Sequence, residues 1–154
     1  MERPVSPLRL QGYDYRSPGA YFVTIRFEVN SVNNAYADLK RTIQSAMYEL
    51  EKLHEEFRID CWVLMPDHLH FVCNLLDCTT ATGQKSPPRP LGFYIRQLKS
   101  KVTFSMNRAI GVLFKWRPDY YEHIVRNEKA LTRIREYINH NPVALEDKRN
   151  IERR

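Results

Sequence analysis

Apolar and polar positions divide the chain into a short series of elements. Ala20-Tyr21-Phe22-Val23-Thr24-Ile25-Arg26-Phe27 concentrates aromatic and β-branched residues just after the turn-forming Ser17-Pro18-Gly19, which predicts a first strand. From Tyr36 the apolar residues recur every three or four positions, at Leu39, Ile43, Ala46, Leu50, Leu53 and Phe57. That spacing predicts an amphipathic helix of about six turns, with Asn33 or Asn34 as its cap. Ile59 to Met65 reads as a strand buried on both faces. Pro66-Asp67 supplies a turn, and His68 to Leu75 returns as the second arm of a hairpin.

Residues 78–90 are polar and proline-rich and predict a loop. Leu91, Tyr94, Leu98, Val102 and Met106 then form the stripe of a second helix, with Arg96, Lys99 and Lys101 facing away from it. Tyr120 to Arg126 alternates like a short strand. Asn127 can cap a last helix with the stripe Leu131, Ile134 and Ile138, and Pro142 disfavours helix at Asn141, so this helix should end about there. There is no internal repeat. The order predicts an α+β fold, a ferredoxin-like (RRM-like) split βαβ sandwich: an antiparallel sheet with helices on one face, plus a C-terminal helix.

At 154 residues the chain fits one domain over 1–154, with a core of about 8–143 and a charged, apolar-poor tail at 144–154. Apolar residues at 43 % and charged residues at 27 % are ordinary globular usage. No apolar run reaches the ~18–20 residues of a membrane helix, and the first residues lack the apolar core of a signal peptide. Three cysteines (Cys61, Cys73, Cys78) without a C-x-x-C pair fit a reducing compartment. The expectation is a cytoplasmic protein with no membrane partner. Charge adds more: residues 1–78 carry 8 basic and 11 acidic side chains, whereas 79–154 carry 16 and 7. A basic half suits a polyanionic partner, nucleic acid first, although a solvated basic surface has the same composition.

Two constellations carry chemistry. A strand's period of two puts His68 and His70 on one face, ~7 Å apart along the chain, where both imidazoles can converge on one divalent cation. Asp67 at the strand entrance can orient an imidazole as a hydrogen-bond acceptor. A lone His-x-His is also what two polar residues on a solvated strand face look like. On the last helix, Tyr137 and Asn141 are four apart and share a face if the final turn extends that far. A phenol beside a carboxamide offers a nucleophile and an oxygen ligand, although packing of Tyr137 and capping by Asn141 would give the same spacing. A phenol, whose free pKa is about 10, needs a cation nearby to attack a phosphate. Tyr121 and His123 fall on one strand face and read as support for the site or for packing.

Several blocks together resemble a known family. Met65-Pro66-Asp67-His68-Leu69-His70-Phe71-Val72 is similar to the His-hydrophobe-His (HUH) signature of the single-tyrosine, IS200-like transposases. Tyr120 to Asn127, Tyr137 to Val143, Gly12-Tyr13-Asp14-Tyr15, Gly19 to Ile25 and Ile95 to Ser100 resemble the REP-associated tyrosine transposases, a branch of that family. The similarity runs from about residue 8 to about 145. It implies that His68 and His70 are metal ligands for Mg²⁺ or Mn²⁺, and that Tyr137 on the C-terminal helix is the catalytic nucleophile. The nucleophile would cut single-stranded DNA and leave a 5′-phosphotyrosine intermediate, a step of this family's DNA transposition and recombination. Asn141 falls where insertion-sequence relatives place a glutamine that completes the metal site. Asp67 and His123 would be supporting residues, and Arg96, Lys99 and Lys101 DNA-binding ones. The implied partner is single-stranded DNA with hairpins from REP-like repeats, at the nucleoid. A homodimer is one implied assembly, which leaves open whether Tyr137 serves its own chain or a partner.

Two other readings use the same residues. A domesticated relative would bind hairpins as a module without cutting them. A metal-dependent nuclease would use His68, His70 and Asp67 to activate water and would not need Tyr137.

Overall fold

The computed structural model describes residues 12–32 and 34–141. The alternative cap Asn33 and the segment 144–154 lie outside the described residues. Strand β1 (Gly19–Phe27) leads to helix α1 (Tyr36–Leu53), then to β2 (Phe57–Leu64) and β3 (His68–Leu75). A small hairpin, β4 (Cys78–Thr79) with β5 (Lys85–Ser86), occupies the segment expected to be loop. Helix α2 (Leu91–Ser105), strand β6 (Trp116–Val125) and helix α3 (Glu128–Asn139) follow. The main sheet has the order β2-β3-β1-β6 and is antiparallel throughout, as a ferredoxin-like α+β fold requires.

Strand alternation sorts the side chains between two unequal layers. Tyr21, Val23, Ile25 and Phe27 of β1 and Leu69, Phe71, Cys73 and Leu75 of β3 point to the face covered by α1 and α2, and all are sealed from solvent. The opposite face carries a smaller cluster, Val63, Val72 and Val125 under Leu131 and Ile138 of α3. The C-terminal helix therefore covers the sheet face that α1 and α2 leave bare.

Several boundaries differ from the pattern-based expectation. Helix α1 stops at Leu53, and Phe57, which continues its spacing, is instead the first residue of β2. His54-Glu55-Glu56 forms the turn, and Phe57 still reaches the same core, where it stacks on Tyr94 (ring centroids 5.1 Å apart). Ala35, not an asparagine, occupies the cap of α1 and makes no side-chain capping bond. β2 is half-buried through its middle because it is an edge strand. β6 starts at Trp116, before Tyr120; Pro118 breaks the alternation there, which an edge strand tolerates, and a register slip opposite Ile25 and Phe27 absorbs the irregularity.

A bulge in β2 fixes the position of α3. The register slips between Ile59 and Cys61, so that Asp60 is an extra residue facing no partner in β3. Its carboxylate receives the Arg135 guanidinium of α3 in a forked contact, Nε to Oδ1 at 2.9 Å and Nη2 to Oδ2 at 2.5 Å. That hydrogen bond holds the Asp60 carboxyl below its ordinary value of 3.8. Asn127 caps the start of the helix as expected, its Oδ1 accepting the Ala130 amide at 2.8 Å.

Because the folded form of Asp60 holds its proton less tightly than the unfolded form, the pair stabilises the fold fully above pH ~4 and the gain is lost as pH falls through the folded value. Asp60→Asn should lower the thermal unfolding midpoint at pH 7 by about 2–4 °C, a partly exposed pair being worth at most ~1 kcal/mol. The deficit should shrink below pH 4, and an equal deficit at pH 3 and pH 7 would count against the pair. Ile138→Ala removes a buried anchor (1 % exposed) of the small cluster and should cost ~2–4 kcal/mol. In hydrogen exchange, amides of α3 should lose protection before those of β1 and β3.

Candidate active site

Met65-Pro66-Asp67-His68 closes a tight turn, with the Met65 amide donating to the His68 carbonyl at 2.8 Å. β3 therefore begins at His68, and His68 and His70 both point to the α3 face. Their Nε2 atoms face each other at 2.9 Å. Each ring is held from behind at Nδ1: His68 donates to Asp67 Oδ1 at 2.5 Å, and His70 lies 2.8 Å from Thr24 Oγ1. Asp67 also lies 3.7 Å from Arg26, and its carboxyl sits below the usual value, first because of the hydrogen bond from His68. Phe22 stacks on His70 with centroids 5.2 Å apart. His70 is only 5 % exposed, so the pair forms a rigid, largely dry cleft.

Helix geometry brings Tyr137 to that cleft. At 3.6 residues per turn, Leu131, Ile134 and Ile138 point down to the sheet, which leaves Arg135 on one flank of α3 and Tyr137 on the other. Arg135 is fixed over β2, and the Tyr137 ring lies across His70 with centroids 5.8 Å apart. Tyr137 is 54 % exposed and so open to a large substrate, while its neighbour His70 is not. The helix stops at Asn139, with His140 as its cap, so Tyr137 and Asn141 do not share a continuous helical face. Asn141 is nonetheless buried (5 % exposed) just past the helix end.

The two imidazoles could hold a divalent cation, and by ligand softness they suit Mn²⁺ better than Mg²⁺. Two ligands at ~2.1 Å from one ion and ~90° apart lie ~3.0 Å from each other, close to the separation of the two Nε2 atoms. Among the described residues no cluster of three His, Cys, Asp or Glu side chains forms. Two imidazoles alone would leave the remaining positions around an ion to an amide oxygen, water or phosphate oxygens.

The other expected site residues lie further out. Tyr121 pairs in register with Thr24, in one row across the sheet with His70, while His123 is exposed one row along, opposite Phe22. Arg96, Lys99 and Lys101 of α2 lie on the opposite side of the sheet from the histidines. Arg96 and Lys99 line a groove of about 800 Å³ with Lys115, Phe104 and Trp116. Lys99 Nζ donates to the carbonyl of Arg117 at 3.0 Å, and burial lowers its pKa. Lys101 is turned toward α1, where it meets Glu49 at 3.4 Å. Thr24, Arg26 and the Asp60–Arg135 pair also contribute, and no sequence motif marks them. The one local signal is an acid, Asp60, within the apolar run Ile59 to Met65; the rest depends on register between distant segments.

Known proteins are similar to this chain in sequence and in fold. No family model matches the chain. An uncharacterized protein of Haemophilus influenzae is 30 % identical over 159 residues, spanning 90 % of this chain and 88 % of that one. A REP-associated tyrosine transposase of Escherichia coli K12 is 28 % identical over 131 residues, covering 84 % of this chain and 69 % of its own length. The solved structure of a REP-associated tyrosine transposase bound to a REP hairpin has the same fold, with a TM-score of 0.60 at 22 % identity over 90 % of this chain and 73 % of that chain. Among the described residues no helix is long and apolar enough to cross a membrane. With the motif blocks in their family order, a curated relative along most of the chain and a shared fold, this chain is similar to the REP-associated tyrosine transposases.

Proposed function

We propose that the protein cleaves and rejoins single-stranded DNA bearing hairpins, through a covalent bond to Tyr137. The observation that supports this most directly is the placement of the Tyr137 ring against His70, from a helix far along the chain. In the forward step Tyr137 Oη adds to the scissile phosphorus and the P–O3′ bond breaks. The 3′-oxygen leaves as a hydroxyl, the phenolic proton passes to solvent, and the downstream strand stays on the enzyme as a 5′-phosphotyrosine. Attack by another 3′-hydroxyl reverses the step and rejoins DNA without a nucleotide cofactor, because the phosphodiester energy is conserved in the adduct.

His68 and His70 would hold the divalent cation, Mg²⁺ or Mn²⁺, with the Asn141 amide oxygen as the candidate third ligand. When bound, the cation supplies charge neutralisation at the non-bridging phosphate oxygens. The protein's own contribution is positional: Asp67 and Thr24 hold the imidazoles, and Arg135 holds the helix that presents the phenol. The hydrolytic alternative is less well supported, since the Asp67 carboxylate is hydrogen-bonded to His68 and lies beside Arg26.

The α2 groove is the proposed seat of the hairpin's phosphates, with Arg96 and Lys115 as contacts and Phe104 as an exposed ring for an unpaired base. β6 is an edge strand, so DNA held there reaches the histidine face around that edge.

A hairpin oligonucleotide from the repeats flanking the gene, labelled at its 3′ end and incubated with Mn²⁺, should give a labelled protein band that survives denaturing electrophoresis. Tyr137→Phe should abolish the band and keep hairpin binding within about twofold; His68→Ala should lose at least 100-fold in adduct yield. Undiminished adduct in Tyr137→Phe would move the nucleophile elsewhere, and nicked DNA free of protein would favour the water-activating nuclease. In fluorescence anisotropy, Arg96→Ala and Lys115→Ala should each weaken hairpin binding and lower the salt slope by about one. Lys101→Ala should leave both unchanged.

A further inference from the structure

The sheet order β2-β3-β1-β6 puts β1 between the histidines of β3 and the β6 edge. Residues of β1 on the histidine face are therefore what a DNA strand meets between that edge and the cleft. Thr24 and Arg26 lie there, opposite His70 and His68 in register. Helix α3 rests over the other end of β1, at Ala20 and Phe22. Thr24 is buried, but the Arg26 side chain is 43 % exposed, with its guanidinium 3.7 Å from Asp67. That separation exceeds a hydrogen bond, so the fork of N–H donors can take an incoming acceptor.

The register of β6 changes at the same place. Ile25 pairs with Tyr120 and Phe27 with Trp116, so Arg117, Pro118 and Asp119 together span the position opposite Arg26 alone. This bowed segment is exposed, and Lys99 of α2 ties it down by donating to the carbonyls of Arg117 and Pro118 at 3.0 and 3.4 Å. Trp116 and Pro118 also line the α2 groove. The bow thus joins the groove on one face of the sheet to Arg26 on the other.

Electrostatics single out Arg26 along this route. A phosphate nearing the histidines from the β6 side meets the Asp67 carboxylate, whose charge opposes it. Arg26 stands beside that carboxylate and offsets it, and a guanidinium fork matches phosphate oxygens. Arg26 lies one strand short of His68, ~4.8 Å across the sheet, whereas Tyr137 meets the other histidine, His70. Its reach is therefore to a phosphate further along the chain than the scissile one.

We propose that Arg26 binds a backbone phosphate of the unpaired DNA segment running from the β6 edge to the histidine cleft, the segment crossing β6 at residues 117–119. This role presupposes a hairpin seated in the α2 groove and cut at Tyr137, and adds the contact that guides the strand between them.

The test is fluorescence anisotropy of the full chain in EDTA with two labelled probes. One is the hairpin from the flanking repeats trimmed to its stem and loop; the other adds ~10 unpaired nucleotides on each side. Wild type should bind the tailed probe more tightly. Arg26→Ala should weaken tailed-probe binding about 5–20-fold and lower its salt slope by about 0.7, with stem-probe binding kept within about twofold. Arg26→Lys keeps the charge and should retain the slope. Asp67→Asn removes the opposing carboxylate and should tighten tailed-probe binding about two- to threefold. An unchanged tailed-probe slope in folded Arg26→Ala overturns the proposal. Two further outcomes overturn it whether or not that variant folds. One is equal wild-type affinity for the two probes. The other is weakened tailed-probe binding in Asp67→Asn, which would mean that Arg26 acts only by steadying Asp67. Neither metal nor cleavage enters this measurement, so failure of the Tyr137 chemistry shows separately, as absent adduct with the Arg26 dependence of tailed-probe binding intact.

Discussion

The ion pair between Asp60 and Arg135 is the contact on which the geometry of the site depends. α3 is short, and its apolar footing on the sheet is a handful of aliphatic side chains. Such a footing gives adhesion but little control over rotation, since aliphatic contacts are non-directional. A forked guanidinium–carboxylate contact is directional. It is made on one flank of the helix and so sets the azimuth of the other, where Tyr137 meets His70. The bulge at Asp60 is what makes it possible: with one residue fewer, the later residues of β2 would change faces.

The division of labour between the two sheet faces follows from the same economy of covering. The α1/α2 face is closed by two long amphipathic helices and holds the aromatic core. The α3 face is closed by one helix. Where its cover ends, two imidazoles and a phenol stand at the boundary between a dry interior and solvent. On the proposed function, that boundary would let a phosphate reach the phenol while the groups that orient the site stay shielded. His70 and Tyr137 illustrate the gradient, the first nearly sealed and the second half-exposed, with their rings in contact.

Local patterns made much of this legible. Strand parity alone puts His68 and His70 together, and the stripe Leu131, Ile134, Ile138 with its Asn127 cap describes α3 as it is found. The errors came where a local pattern was satisfied by a different element. Phe57 continues the spacing of α1 and fills the same core, but from β2. Asn141 keeps an i+4 spacing from Tyr137, yet the helix ends at Asn139, consistent with the bias that Pro142 imposes on the residue before it. Thr24 and Arg26 could not be assigned, because which β1 residue lies across from which histidine is a matter of register between strands far apart in sequence. Nor did the basic residues of α2 reveal that they belong to the far side of the sheet.

That last placement constrains how a substrate must lie. A strand pair and its covering helices set the histidine cleft and the α2 groove on opposite layers, roughly a sheet-packing distance of ~10 Å to either side of the sheet. On the proposed function, a hairpin seated in the groove would reach the cleft through a flexible single strand that turns at the β6 edge. Duplex recognition by cations in a groove and cleavage of an unpaired segment at Tyr137 would, on that proposal, be separate tasks joined by the length of the single strand. Changing the unpaired spacer between stem and scissile phosphate should therefore alter cleavage steeply while leaving hairpin affinity nearly constant. Anisotropy and adduct yield measured on one spacer series would show the two curves separating, whereas curves that fall together would mean a single continuous binding surface.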